Sequence, residues 1–281
     1  MNNINDCKSM TPLRTPGGKS KVVKKLLSPL FPTEFNDYYE PFIGGGSVAL
    51  FLKQMYPEKN VYINDLNYNL YTFWKILKQK PFKLIEKLHE VRLLYDPNDL
   101  EQGKELLNTL KELLNDDDEF TIAYSFYILN KISFSGLTEH GSLSKSAYNK
   151  TYNHGNIDKL KMIYEVMKDF HIYNEHFKEF MKNSKQNDFT FLDPPYLIDS
   201  SNLYGKDGDL HKNFNHLEFL ESVKNLKGKW MLTYNDCEWI RTKYKDYNIQ
   251  NAEYRYCMAF KEDDQGNKLT RVKNELIITN Y

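Results

Sequence analysis

The sequence has few cysteines and no long apolar segment, and each absence excludes a class of protein. Its three cysteines, Cys7, Cys237 and Cys257, form no Cys-x-x-Cys pair, so neither a disulfide framework nor a cysteine-rich zinc site is predicted. No run of about 18 apolar residues occurs, which excludes a transmembrane helix. Residues 1–10 lack the apolar stretch that is typical of signal peptides. Together these absences predict a cytoplasmic protein.

Metal-binding patterns and a net charge are also absent. The seven histidines include no His-Glu-x-x-His motif and no cluster with zinc-ligand spacing, so we expect no structural metal. The formal net charge is zero, yet residues 1–30 hold six lysines and arginines against one acid. Residues 131–161 hold five lysines against two acids, and residues 94–119 hold nine acids against two lysines. The two basic segments are compatible with binding to a nucleic acid, despite the neutral total charge.

The order of strand and helix patterns predicts an α/β fold. Residues 37–42 have a strand pattern, and a glycine turn and a helix to about Met55 follow. Residues 60–65 form a second predicted strand that ends in Asp65. This succession is typical of a Rossmann-like unit. Further strand patterns lie at 170–174, 189–193, 230–234 and 275–280.

A helical segment separates the two groups of predicted strands. Amphipathic patterns predict helices through most of residues 67–130, whereas residues 134–156 have no clear period and predict a long loop or loose hairpin. We therefore predict a discontinuous catalytic domain of residues 1–66 and 166–281, interrupted by a mostly helical insertion of residues 67–165. Near the N-terminus, helical spacing precedes Pro29, which we expect to end that helix.

The segment EPFIGGGSVAL can bring backbone close to a ligand, because glycines after a strand permit a tight turn. The GxGxxG pattern of dinucleotide sites fails here, since Gly44–Gly46 are followed by Ser-Val-Ala. A nucleoside cofactor without a pyrophosphate and an ordinary tight turn are both left open. Asp65 could accept hydrogen bonds from ribose hydroxyls.

The segment TPGGKSK resembles the end of a phosphate-binding P-loop but lacks the first glycine of that motif. The position is Leu13, and no strand pattern precedes it, so an NTPase is not predicted. Lys19 could still place a cation near a ligand.

The segment FLDPPY indicates chemistry most strongly. A strand that ends there places Asp193 at the carboxyl edge of a parallel sheet, where α/β enzymes bind ligands. Pro194 and Pro195 have no N–H, so the Asp193 carboxylate and the Pro194 carbonyl form an acceptor pair without a competing donor. Such a pair suits an exocyclic NH2 group, and Tyr196 offers a flat face on which a base can stack. The alternative is a strand-end turn with a surface carboxylate.

Seven segments follow one another in the order found in a known enzyme family. They are PLRTPGGK, EPFIGGG, INDLN, NKISFSGL, FLDPPY, LTYND and KNELIITNY. In these segments the sequence resembles the alpha-class, Dam-type (D12 class) DNA adenine-N6 methyltransferases over nearly its whole length. The resemblance implies the Rossmann-like sheet of class I S-adenosylmethionine-dependent methyltransferases with a helical target-recognition insertion. It also implies S-adenosylmethionine as cofactor and double-stranded DNA as substrate.

The resemblance further implies the residues of each site. Catalysis is expected at Asp193, Pro194, Pro195 and Tyr196. The cofactor-binding residues are expected to be Pro16, Gly17, Gly18, Lys19, Glu40, Phe42, Gly44, Gly46, Ser47, Asp65, His176, Phe177 and Asp193. DNA contacts are expected from Lys21, Asn130, Lys131, Ser133, Phe134, Ser135, Gly136, Leu137, Ser144, Lys145, Tyr148 and Tyr204. The sequence departs from the family pattern at Thr15, where an aromatic residue is usual, and at His176, which aligns with an aspartate.

The implied reaction is methylation of N6 of an adenine that is flipped out of the duplex. Methylation of cytosine N4 uses similar chemistry and is the first alternative, and methylation of guanine N2 in RNA is a second. A DNA-binding module without activity is a third. A monomer is expected, with a cognate restriction endonuclease as a possible partner.

Overall fold

The computed structural model describes residues 1–197, 214–262 and 268–281, and these residues include seven strands that form one sheet. The strands are β1 Tyr38–Glu40, β2 Val61–Asn64, β3 His171–Tyr173, β4 Phe189–Leu192, β5 Lys229–Asn235, β6 Asn248–Glu262 and β7 Lys268–Thr279.

The strand order of the sheet is β3-β2-β1-β4-β5-β7-β6. Strands β1 to β5 pair in parallel with one another, and β7 is antiparallel to both β5 and β6. The predicted Rossmann-like α/β sheet is therefore confirmed. The chain proceeds from β1 outward to β3 on one side and from β4 outward on the other. The carboxyl ends of β1 and β4 thus flank the switch point at which α/β folds form a crevice.

Ten α-helices lie in the described residues. They are α1 Ser47–Met55, α2 Tyr68–Gln79, α3 Pro81–Leu94, α4 Leu100–Leu113, α5 Glu119–Ile132, α6 Lys145–Lys150, α7 His154–Met167, α8 Phe177–Met181, α9 His216–Lys224 and α10 Glu238–Lys243. Several begin where a side chain accepts hydrogen bonds from first-turn N–H groups, as Asn67 does for α2 and Asp118 for α5. None of the described helices is long and apolar enough to span a membrane.

The prediction of a long loop at residues 134–156 is partly wrong. The segment contains a 3-10 turn at Phe134–Gly136, helix α6 and the start of α7. Two of its tyrosines are core residues: the hydroxyls of Tyr148 and Tyr152 donate to the carbonyls of Asp96 and Leu88, each at 2.8 Å. A tyrosine ring can be buried when its hydroxyl finds such an acceptor, so a composition that resembles a loop is compatible with a packed segment.

Two further details differ from the predictions. The N-terminal segment forms a 3-10 turn at Lys19–Lys21, a π-helix at Val23–Leu27 and a second 3-10 turn at Ser28–Leu30. Pro29 lies in the first turn of the last element, where its missing N–H has no cost, rather than at a helix end. Strand β6 was not predicted, because an edge strand needs no continuous apolar run.

One cluster of buried apolar side chains joins the sheet to the helices of the predicted insertion. It includes Phe189 from β4 and Ile63 from β2, together with Trp74 from α2, Leu84 from α3 and Ile128 from α5. A second cluster of buried apolar side chains joins other residues of the sheet to α8, α9 and α10. The domain division at residues 66 and 166 stays a prediction.

Asn130 fastens the N-terminal segment to helix α5. Its side-chain oxygen accepts from the Arg14 N–H at 2.8 Å, and its side-chain nitrogen donates to the carbonyls of Arg14 at 2.8 Å and Gly136 at 3.2 Å. Asn130 is 2% exposed, so its side chain makes these hydrogen bonds from a buried position. The predicted DNA contact from Asn130 is therefore accompanied by a structural role.

We expect Asn130→Ala to lower the free energy of unfolding by about 2–4 kcal/mol, because it removes the hydrogen bonds of a buried side chain to the backbone of Arg14 and Gly136. Urea unfolding monitored by tryptophan fluorescence measures the change. The matched control is Asn115→Ala, which removes an exposed side chain at the end of α4 and should change the free energy by less than about 0.5 kcal/mol. Equal effects of the two substitutions would contradict this role.

Candidate active site

A cavity of about 410 Å³ lies at the carboxyl ends of the parallel strands. Its wall combines the N-terminal segment, the glycine turn after β1, the end of β2 and the turn after β4. The predicted residues that line it are Pro16, Gly17, Gly18, Lys19, Glu40, Phe42, Gly44, Gly46, Ser47, Asp65, Phe177, Asp193, Pro194, Pro195 and Tyr196. The structure thus brings both predicted sets together, with His176 as the exception.

His176 does not belong to the cavity wall. It is exposed at the N-terminus of α8, and its ring packs on the ring of Phe177 at a centroid distance of 4.3 Å. Phe177 is buried and lines the cavity. Of the two adjacent residues, Phe177 therefore forms part of the cavity wall, whereas His176 lies outside it. Thr15, the other departure from the family pattern, does line the cavity.

The glycine turn is held in a shape that favours glycine. Gly44 and Gly46 have φ angles of +47° and +68°. A Cβ on Gly46 would lie 2.6 Å from the ring of Trp74, whose indole N–H donates to the Gly44 carbonyl at 3.2 Å. The Gly44 N–H donates to Asp65 at 3.1 Å. These contacts join the turn to α2 and to the end of β2.

Two carboxyl groups of the wall have raised pKa values. Burial raises the pKa of Asp65 to about 6, although backbone N–H groups of Asn67 and Gly44 oppose the change. Burial likewise raises the pKa of Glu40 well above its ordinary value, against the hydrogen bond of 2.6 Å from Tyr38. Negative charge in this part of the cavity is therefore costly unless a cation is nearby.

Lys19 is the cation at the centre of the site. Its ammonium lies 2.8 Å from Oδ1 of Asp193 and 3.8 Å from Oε2 of Glu275. It also donates to the hydroxyl of Tyr196 at 3.0 Å and to the carbonyl of Gly17 at 2.9 Å. Burial alone would lower the pKa of Lys19, but Asp193 and Glu275 outweigh it and hold the pKa above its ordinary value. Lys19 is therefore charged in the folded protein.

The turn after β4 is fixed to β5 by polar contacts. The hydroxyl of Thr233 donates to Oδ1 of Asp193 at 2.7 Å. The side chain of Asn235 accepts from the N–H of Leu197 and donates to its carbonyl, each at 3.0 Å. The ring of Tyr196 stacks on that of Tyr234 at a centroid distance of 5.7 Å. Both ends of the DPPY segment are thus held, which gives the Asp193 carboxylate a defined position.

Comparison with known proteins agrees with this site. The model of the D12 class N6 adenine-specific DNA methyltransferases matches residues 16–258. The chain belongs to this family. The predicted family membership, enzyme class and adenine specificity are confirmed, since the activity of the family is N6-adenine methylation of DNA. The alternatives of cytosine N4, of RNA and of an inactive binding module are not supported.

Individual relatives of this methyltransferase match it over most of their length. The type II methyltransferase M.MjaIII of Methanocaldococcus jannaschii is 27% identical, over 96% of this chain and 98% of the relative. The type II methyltransferase M1.LlaDCHI of Lactococcus lactis subsp. cremoris is 28% identical, over 94% and 93%. Among solved structures, a precorrin-6y C5,15-methyltransferase of Geobacter metallireducens superposes with a TM-score of 0.44 and 10% identity, over 96% and 94%.

The residues predicted to contact DNA lie in different environments in the structure: some line the cavity, some are exposed and some are buried. Asn130, Gly136 and Leu137 line the cavity of the methyltransferase. Phe134 is 56% exposed, and Ser135 beside it has a φ angle of +55°. Lys21 and Lys145 are exposed, and Ser144 caps α6. Three residues are buried instead, namely Lys131, Ser133 and Tyr148, and Tyr204 lies outside the described residues.

Several residues of the site were absent from the sequence-based prediction, and three of them contact predicted residues. Phe214, just before α9, lines the cavity and packs on Phe42 and Phe177 at centroid distances of 5.8 and 5.3 Å. Thr233 and Glu275 contact Asp193 and Lys19 from β5 and β7. The available signal for Glu275 was a charged residue at the start of the apolar segment LIIT.

We expect Lys19→Met to lower the free energy of unfolding of the methyltransferase by about 3–5 kcal/mol at pH 7, because two carboxylates lose the cation buried with them. Urea unfolding gives the value. In the control Lys25→Met, an exposed lysine of the same segment changes, and we expect a difference below about 0.5 kcal/mol. A Lys19→Met protein as stable as the wild type would show that the ion pair does not contribute to the free energy of unfolding.

Proposed function

We propose that the cavity is where this methyltransferase brings S-adenosylmethionine and an adenine of duplex DNA together, with Asp193 and the Pro194 carbonyl as acceptors for the adenine amine. One observation carries the proposal. Asp193 lines the cavity at the carboxyl end of β4, and its carboxylate is held by both Lys19 and Thr233. A positioned acceptor next to an aromatic ring is what binding of a planar amine requires.

The charge of the wall fits a cationic cofactor. The described lining includes five carboxyl groups and one lysine, and the carboxyl groups belong to Glu40, Asp65, Glu139, Asp193 and Glu275. Such a wall suits a ligand with a sulfonium and an ammonium group and disfavours a polyphosphate. S-adenosylmethionine fits this set, and when bound it supplies a methyl group already activated on positively charged sulfur.

The residues that would hold the cofactor follow from their chemistry. Asp65, at the end of β2, has carboxylate oxygens that can accept from ribose hydroxyls. Phe42, Phe177 and Phe214 form an aromatic cluster that can flank a purine. The Gly44–Gly46 turn lets backbone approach the ligand closely. Lys19 is assigned to the Asp193 carboxylate rather than to the cofactor.

The protein's part in the reaction is to bind and orient the amine. Both contacts that the described residues make with Asp193 use Oδ1, which leaves Oδ2 to accept from N6 of adenine. The Pro194 carbonyl accepts the second hydrogen, so the lone pair of the nitrogen is directed away from both acceptors. Tyr196 stacks on the base. Because the methyl donor is already activated, positioning and electrostatics supply most of the rate enhancement.

The base reaches the cavity by leaving the duplex, at a cost of a few kcal/mol. Phe134 is the exposed aromatic side chain next to the cavity residues Gly136 and Leu137, so we assign it to the gap left in the base stack. Lys21 and Lys145 are assigned to phosphates. The relatives are named type II methyltransferases, and we infer a cognate restriction endonuclease as partner.

We expect Asp193→Ala to reduce turnover by at least about 10²-fold, because the amine loses its principal acceptor. The measurement is single-base mapping of N6-methyladenine in plasmid DNA from a methylation-free host that expresses each variant. Wild-type protein should methylate adenine at one recurring motif. The control Asp246→Ala changes an exposed acid outside the cavity lining and should leave the pattern intact.

Full methylation by the Asp193→Ala protein would refute the assignment of the acceptor. Loss of methylation in both variants would point to poor folding, which thermal unfolding of the purified proteins distinguishes.

A further inference from the structure

Glu275 occupies an unusual position for a carboxylate. It lies within β7, opposite Asn235 of β5 and Ala252 of β6, and is 1% exposed. Because β7 runs antiparallel to the other strands, this part of it lies at the carboxyl ends of β4 and β5. Glu275 thereby lines the cavity from β7, which is separated from β4 by β5.

The side chain of Glu275 contacts two groups of the site. The hydroxyl of Tyr196 donates to Oε2 of Glu275 at 2.7 Å, and the Lys19 ammonium lies 3.8 Å from the same oxygen. The Tyr196 hydroxyl also accepts from Lys19 at 3.0 Å. The far end of the Tyr196 ring is therefore held from two directions, by a donor and by an acceptor.

We propose that Glu275 is a positioning residue for methyl transfer, which fixes the plane of the Tyr196 ring through its hydroxyl and keeps the Lys19 ammonium between two carboxylates. The inference rests on the proposed function, in which Tyr196 stacks on the adenine and Asp193 accepts its amine. Glu275 does not touch the reacting atoms, so it acts through Tyr196 and Lys19.

The surroundings of Glu275 argue against a role in stability alone. Ile277, the next residue of β7 on the same face as Glu275, is buried and apolar, as is usual within a sheet. A buried ion pair is often no more stabilising than an apolar replacement of similar volume. A carboxylate at this position is better explained by what it orients.

The orientation matters because small displacements are costly in catalysis. A base held about 1 Å away from its productive position can cost about 10²-fold in rate. With its hydroxyl released, the Tyr196 ring could still stack on a base, but its plane would no longer be fixed by the hydrogen bonds to Glu275 and from Lys19. Binding of DNA would then persist while turnover falls.

The test compares Glu275→Gln, Tyr196→Phe and the double variant. We expect each single substitution to lower kcat by about tenfold or more, with KM for DNA and for S-adenosylmethionine unchanged. Because both substitutions disturb one anchor, the double variant should be little slower than the slower single variant. The control is Ile277→Val, which shortens a neighbouring buried side chain of β7 and should leave kcat unchanged.

Each outcome bears on the inference. Unchanged kcat in Glu275→Gln or Tyr196→Phe overturns it, and so do effects that multiply in the double variant or that appear only in KM. Should Glu275→Gln unfold at low temperature, Tyr196→Phe decides, because it keeps the ring and removes only the anchored hydroxyl. An inactive wild-type protein would instead count against the proposed function, so the two failures are distinguishable.

Discussion

The burial of one ammonium group between two carboxylates is the constraint on which the rest of the site depends. Lys19 belongs to the N-terminal segment, Asp193 follows β4, and Glu275 lies in β7, so three distant parts of the chain meet at one charge. A buried charge without partners is strongly destabilising, and the three segments are therefore required to come together when the protein folds. The catalytic geometry is thus part of the condition for a stable structure.

Further contacts fix the shape of the cavity wall. Asn130 fastens the backbone of Arg14 to α5, and the glycine turn is held between α2 and Asp65. The wall retains more carboxyl groups than cations, which is unfavourable in the protein alone and favourable once a cation binds. Burial raises the pKa values of Asp65 and Glu40, so the charged form of each carboxyl group is costly without a nearby cation. Cofactor and protein are in this sense electrostatically complementary.

Local patterns carried most of what could be predicted from the sequence. The strand, glycine turn and helix at residues 38–55 and the DPPY segment are continuous in the chain, and all their selected residues line the cavity. Glu275 and Phe214 were missed because their roles arise only when β7 and the start of α9 meet the turn after β4. The burial of Tyr148 and the outward position of His176 were missed for the same reason, since tertiary packing decided both.

The charge state of Lys19 offers the most direct test of the account. Lysines labelled with ¹³C at Cε can be followed by NMR as pH rises, and the Lys19→Met spectrum assigns the signal. We predict that the Lys19 signal titrates with a midpoint above the ordinary value of 10.5, because Asp193 and Glu275 stabilise its charged form. A midpoint below that value would show that burial outweighs the carboxylates, and that the ammonium does not hold the site together.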